Sequence, residues 1–286
     1  MQTETALDIE SPVEMHHPDL YSPAALAVSV EKLQDAVEPE HLAFYQRYGY
    51  LAVSQAFSAR EIGDGLQGME DLIMGKNPAF KGVHFEAAAR EILPTLGLEQ
   101  RQDAVRKISN FVEYDARLKA LAYHPQLLAV LRQLLGDEPI LFQDMGLIKP
   151  PRLGREKPWH QDLSYFNYEP TGKVVGVWIA LDEATIANGC MQLLPGLHKD
   201  GPIVHWKRRD WQMCDNEVLG RTSVAVPLKP GGLLLFDGLL PHGTPHNSSG
   251  KRRRALQFHY AGVSIEKIPA SRRTDIFGSE GKDVTC

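Results

Sequence analysis

Residues 159–198 read WHQDLSYFNYEPTGKVVGVWIALDEATIANGCMQLLPGLH, and the punctuation of this stretch decides the fold. His160 and Asp162 stand two apart at its start. In an extended chain that spacing puts both side chains on one face, so an imidazole nitrogen and a carboxylate oxygen can reach one ion. A second imidazole would complete a set of two histidines and one carboxylate with the opposite face open. Such a set favours iron(II) and leaves positions for a co-substrate and dioxygen. Further along, the apolar run Val174 to Leu181 reads as a buried strand, and Asn188-Gly189 as a hairpin turn leading into Met191 to Leu194.

Outward from this stretch the texture is β. Ile140 to Ile148, Ser223 to Leu228, Leu233 to Phe236 and Ala255 to Val263 are short apolar or alternating runs separated by Gly, Pro and Asn. Before Gly136 the periods are helical. Leu42, Phe44 and Tyr45 mark a helix running into an extended Tyr50 to Val53. Ser58 and Glu61 form a capping box ahead of Ile62, Leu66, Met69 and Leu72. Asp115 caps another helix, and a last one runs from Pro125 to the stop at Gly136. The expected fold is α+β with a mainly β core, a jelly roll with N-terminal helices packed on its larger sheet. Residues 1–38 read as a flexible arm, 39–270 as one domain and 271–286 as a tail.

Composition restricts the function. A net charge of -5 argues against a nucleic-acid partner, which a basic surplus would serve. No apolar run is long enough to span a bilayer, and the first residues lack a secretory pattern, so a cytoplasmic protein acting on a small molecule is expected. Cys190, Cys214 and Cys286 are too few and too scattered for a disulfide framework or a thiolate zinc site. Oligomeric state is not legible.

The third ligand is expected at His242, in Leu240-Pro241-His242-Gly243-Thr244, where proline and glycine fix a turn. His198, His205, His246 and His259 compete, His246 most closely because it shares the loop. Tyr165, Phe166 and Tyr168 are candidates for a substrate wall, and Lys199 to Gly220, with Trp206 and Trp211, is long enough for a lid. Core packing and an ordinary surface loop explain them equally well. Lys207, Arg208 and Arg209 suggest a site for a coenzyme A phosphate or, more simply, a solvated charge run.

The run from Trp159 to His198 resembles the phytanoyl-CoA dioxygenase family of iron(II)- and 2-oxoglutarate-dependent oxygenases. The marks are the HxD, the strand Val177-Trp178-Ile179-Ala180, the Asn-Gly-Cys turn and Pro-Gly-x-His. Downstream, PGGLLLFDGLLPHGTPHNSSGKRRRALQFHY resembles the family's distal histidine followed by Asn, Ser and an arginine. The likeness extends over roughly Glu40 to Val263. It implies a double-stranded β-helix of the cupin type and takes His242 rather than His246 as the ligand, because Asn247 and the arginine then fall in place. The cofactors it implies are Fe(II), 2-oxoglutarate and O2.

The far carboxylate of 2-oxoglutarate needs a cation, and arginine offers a two-pronged match. Period two sets Arg253 opposite both Arg252 and Arg254, so one or two of the three can enter the barrel. The resemblance selects Arg253, leaving Arg252 and Arg254 as an exposed basic cluster. It also matches Lys107, Met145, Trp178 and Thr244 to the co-substrate pocket. Gln143 is added because it can point the same way as Met145. The resemblance further implies oxidative decarboxylation to succinate and carbon dioxide, coupled to hydroxylation of a small substrate. The competing readings are a zinc or manganese hydrolase or isomerase on the same triad, a silent binding protein, and an acyl-CoA hydroxylase.

Overall fold

Two facing sheets, curled into a double-stranded β-helix, organise the computed structural model, which describes residues 16–85, 92–152 and 154–278. The larger sheet has eight strands, in the order Ser29–Lys32, Tyr50–Gln55, Leu233–Asp237, Val174–Ala180, Arg253–Gly262, Pro139–Lys149, Val105–Ser109 and Val83–Phe85. The smaller has five: Ala25–Leu26, Val224–Val226, Met191–Leu193, His242–Thr244 and Lys157–His160. Residues 1–15 of the expected arm, Leu153, and 279–286 of the tail with Cys286 lie outside the described residues.

Alternation along the central strands separates two cores. Val175, Val177, Ile179, Leu233, Leu235 and Leu256 point outward and are covered by the helices through Ile62, Met69, Leu72, Leu127 and Leu131. Trp178, Ala180, Leu234, Phe236 and Ala255 point inward against Met191, Leu193, Ala225 and Val226 of the smaller sheet. A fully buried apolar side chain contributes about 1.5–3 kcal/mol, so the two-sided burial of these strands drives the assembly. The helices start and stop where their capping residues dictate. Ser58 Oγ accepts from Glu61 N at 3.3 Å while Glu61 Oε2 accepts from Ser58 N at 2.8 Å, opening Ala59–Ile73. Pro125–Leu135 ends at Gly136, whose φ of 70° a side chain rarely adopts.

Three expectations change. The Asn188-Gly189 turn is real, with Asn188 Oδ1 accepting from Thr185 N at 2.7 Å, yet it makes no hairpin. Val174–Ala180 pairs within the larger sheet and Met191–Leu193 within the smaller, so the turn carries the chain across the barrel. Residues 18–37 are docked rather than mobile: Ala25–Leu26 and Ser29–Lys32 each pair with a strand, and Leu20 and Leu33 are 1% exposed. Their elements are short and their partners distant in sequence, so no local period reveals them. The tail is ordered at its start, where helix Ala270–Phe277 buries Phe277 against the barrel.

The arm ends on the strand that bears His160. Trp159 Nε1 donates to Leu20 O at 2.9 Å, and the Tyr21 ring stacks on Trp159 at 5.8 Å. Truncating Leu20 to alanine is expected to lower the unfolding free energy by about 2–4 kcal/mol in urea titrations. A loss below about 0.5 kcal/mol, the level of an ordinary surface substitution, would mean that the arm is detached.

Candidate functional site

Two short strands of the smaller sheet bring the candidate ligands together. Lys157–His160 and His242–Thr244 run antiparallel with His160 opposite His242, and an irregularity in the register sets Thr244 against Lys157. The two imidazole rings lie 4.3 Å apart. Between His160 and Asp162, Gln161 turns the other way, donating to Gly201 O and Leu239 O and accepting from Ile203 N. Asp162 opens a 3-10 turn and returns to the His160 side. One ligand atom from each of His160, Asp162 and His242 lies within 4.8 Å of the others, and all three residues are buried.

The proton positions follow from the hydrogen bonds. His160 Nδ1 donates to Pro158 O at 2.7 Å and His242 Nδ1 to Leu240 O at 2.9 Å, so each Nε2 keeps a lone pair. Those nitrogens stand 3.2 and 3.6 Å from Asp162 Oδ1. Three electron-pair donors thus converge in a dry site, an arrangement that repels itself until a cation enters. Two imidazoles and one carboxylate are the donor set that suits iron(II). Burial would raise the Asp162 carboxyl, but the neighbouring His259 and His242, together with the hydrogen bond from His259, outweigh it and hold the group well below the usual carboxylate range. Burial pushes His242 down to about 3.

Along Arg253–Gly262, period two turns Arg253, Ala255, Gln257 and His259 into the barrel. Arg253 lies opposite Lys149, Gln257 stands between Trp178 and Met145, and His259 between Gly176 and Gln143. Lys107, half-buried, pairs with Leu147 on the neighbouring strand, and burial lowers its amine. The Arg253 guanidinium is buried over the Trp178 ring, 5.3 Å from its centroid, with Nε and Nη1 lacking a hydrogen-bond partner among the described residues. Trp178 Nε1 and Gln143 Oε1 are also buried and unpartnered. Thr244 is buried on the facing sheet. Burial lowers Arg253 to about 10, which keeps it cationic at neutral pH.

The rival histidines have other partners. His246 is exposed and bonds Arg152 O, and His198 bonds Gln46 O. His205 accepts from Gln161 N and donates to Ile203 O. Arg252 and Arg254 do turn away from Arg253, but they are not an exposed cluster. Arg252 is paired with Glu99 and Asp103, and Arg254 with Glu70 and Asp182. The 199–220 stretch is no open lid. It holds the hairpin His205–Lys207 with Trp211–Met213, and Trp211 Nε1 donates to Ser164 Oγ at 3.1 Å. Of the aromatic wall, Phe166 and Tyr168 are buried, while Tyr165 stays exposed with its ring edge-on to His160.

A sequence model of the phytanoyl-CoA dioxygenase family matches residues 45–255 of the chain. The chain belongs to the phytanoyl-CoA dioxygenase family. It is 29% identical over 170 residues to the phytanoyl-CoA dioxygenase domain-containing protein 1 of Danio rerio, a stretch covering 56% of this chain and 58% of the relative. The match thus spans less than two thirds of that relative's length. The fold is shared with EctD from S. alaskensis with bound Fe, at TM-score 0.63 and 24% identity, covering 91% of this chain and 92% of that one. It is shared also with the epimerase SnoN in complex with Fe3+, alpha ketoglutarate and nogalamycin RO, at TM-score 0.64 and 20% identity, covering 86% and 93%.

Three further inward residues of this phytanoyl-CoA dioxygenase family member belong to the site: Gln257 and Lys149, which the sequence does not mark, and His259, which it marks only as a rival ligand. Gln257 Nε2 and His259 Nε2 reach Asp162 Oδ2 at 3.1 and 2.6 Å. The alternation that isolates Arg253 predicts both once it is continued along the strand. Lys149 has no local signal. Its ammonium lies among the carbonyls of Arg155, Thr244 and Pro245, tying both ligand-bearing strands to the larger sheet.

His242→Ala should abolish Co(II) binding measured by visible absorption, while His246→Ala leaves it unchanged; the reverse pattern would exchange their roles. His205 and His242 are both depressed to about 3 by burial, so above pH 6.5 neither opposes folding. As pH falls from 6.5 towards 3 the unfolded chain takes up protons that the folded chain refuses. Metal-free protein should therefore lose about 1.4 kcal/mol per pH unit for each histidine, read from urea midpoints across that range.

Proposed function

We propose that this protein is an iron(II)- and 2-oxoglutarate-dependent oxygenase that hydroxylates, or otherwise oxidises, a small organic molecule. Arg253 carries the reading. A buried guanidinium without a carboxylate partner is costly, and here it sits four residues, roughly 13 Å of strand, from the Gln257 that touches Asp162. A dianionic oxo acid offers a carboxylate for that guanidinium and a chelating end for the metal. The SnoN complex, which holds Fe3+ and alpha ketoglutarate on the same fold, supports this pairing.

His160, Asp162 and His242 would hold the iron. Bound there with the oxo acid, it supplies the activation of dioxygen that oxidises the substrate, with succinate and carbon dioxide released. The chain's own part is positional. Pro158 O and Leu240 O fix the imidazole tautomers, and Trp178 backs the guanidinium that receives the far carboxylate. The rings of Phe236 and Tyr165 pack 4.7 and 5.7 Å from those of His242 and His160 and limit their movement.

For a zinc or manganese hydrolase the Arg253 cation would have no purpose. A free small molecule is favoured over a coenzyme A thioester, because Arg209, the buried member of the basic run, is committed to Glu156 and Asp215.

Anaerobic addition of 2-oxoglutarate to the iron(II)-loaded protein should produce a weak visible charge-transfer band. Arg253→Met should weaken 2-oxoglutarate binding about 10- to 100-fold, the scale of a lost charge-assisted pair, and leave metal affinity unchanged. Asp162→Ala should abolish succinate formation. Tight zinc binding with no band in iron(II), or succinate production undiminished by Asp162→Ala, would overturn the reading.

A further inference from the structure

The two oxygens of Asp162 have different surroundings. Oδ1 faces the His160 and His242 nitrogens. Oδ2 points away from them, to His259 Nε2 at 2.6 Å and Gln257 Nε2 at 3.1 Å. His259 is fully buried among Phe142, Phe166 and Phe236, with ring centroids 6.1, 4.8 and 6.4 Å away, and its Nδ1 has no hydrogen-bond partner among the described residues. A ring proton on Nδ1 would meet only aromatic surface, whereas on Nε2 it meets a carboxylate oxygen. The proton therefore belongs on Nε2, and Oδ2 accepts it. Gln257 can do no more than donate there, because a carboxylate oxygen offers only acceptance.

We propose that His259, supported by Gln257, is a positioning residue that ties down Oδ2 of Asp162 so that the carboxylate presents Oδ1 alone to the metal. A carboxylate free to rotate can bind a metal through both oxygens and take up a position otherwise left for the co-substrate or dioxygen. Two donors on Oδ2 prevent that rotation. They come from the larger sheet, whereas His160 and His242 come from the smaller, so Asp162 is also where the two sheets are joined at the site. The aromatic box serves the same end: with no partner at Nδ1, the imidazole cannot exchange its bond for another without leaving a proton buried against hydrocarbon.

This inference rests on the metal reading above, and Co(II) titration of the full chain separates the two. Wild type should bind Co(II) with a visible spectrum characteristic of its coordination number; absence of binding would overturn the metal site itself. His259→Phe, which fills the aromatic box without a donor, should raise the Co(II) dissociation constant about 10- to 100-fold and alter the spectrum. His259→Gln, whose amide can still reach Oδ2, should recover most of the affinity and the wild-type spectrum. His259→Asn, too short to reach, should not. Should His259→Phe fail to fold, the Gln and Asn pair carries the comparison, with Gln257→Leu giving a smaller loss. Wild-type affinity and spectrum in His259→Phe, or equal behaviour of the Gln and Asn variants, would contradict the proposal.

Discussion

The register that sets His160 opposite His242 is the constraint on which the rest of the site depends. The two strands involved are only four and three residues long, and so short a ladder cannot hold its own alignment. Its anchors come from outside. The arm grips Trp159 through Leu20 and Tyr21, His205 takes the Gln161 amide, and Lys149 gathers carbonyls from both flanks. Segments that look peripheral in the sequence are therefore structural supports of the ligands. Leu20 and Tyr21 of the arm, and the hairpin of His205–Lys207 with Trp211–Met213, pack on the segment that carries His160 and Asp162.

Electrostatics inside the barrel are deliberately unbalanced. Around Asp162 three electron-pair donors converge, while some strand length away Arg253 and Lys149 lie side by side, paired in register on neighbouring strands. Lys149 has backbone carbonyls for its ammonium, and burial, followed by the neighbouring Arg253, lowers its amine well below the usual range. Arg253 has no hydrogen-bond partner among the described residues for two of its nitrogens. Buried charges cost several kcal/mol each unless they are paired, so the triad and the Arg253 guanidinium each suit a ligand that brings the missing charge. In the proposed function, a cation at the triad and a carboxylate at Arg253 would satisfy them together, and one chelating oxo acid would link the two.

Patterns local to one strand make much of this legible in the sequence. The HxD spacing places two ligands on one face, and alternation turns Arg253 away from Arg252 and Arg254. Helix caps at Ser58, Asp115 and Gly136 are where their residue types say they should be. The hidden features depend on contacts across long sequence distances. Asn188-Gly189 has the chemistry of a hairpin turn, but strand partners 31 to 87 residues away recruit its flanks to different sheets. Leu20 and Leu33 are single anchors without a period. In the linear sequence His259 stands only as a rival ligand, since nothing there distinguishes a histidine that binds a metal from one that holds the carboxylate beside it.

Anomalous diffraction from crystals grown anaerobically with iron(II) and 2-oxoglutarate would show whether one oxo acid spans the triad and Arg253. The expected result is an iron peak bounded by His160 Nε2, Asp162 Oδ1 and His242 Nε2, and density for the oxo acid ending at Arg253 Nε and Nη1. An iron peak elsewhere, at His246 or His198, or oxo acid density that leaves the Arg253 guanidinium unpaired, would contradict it.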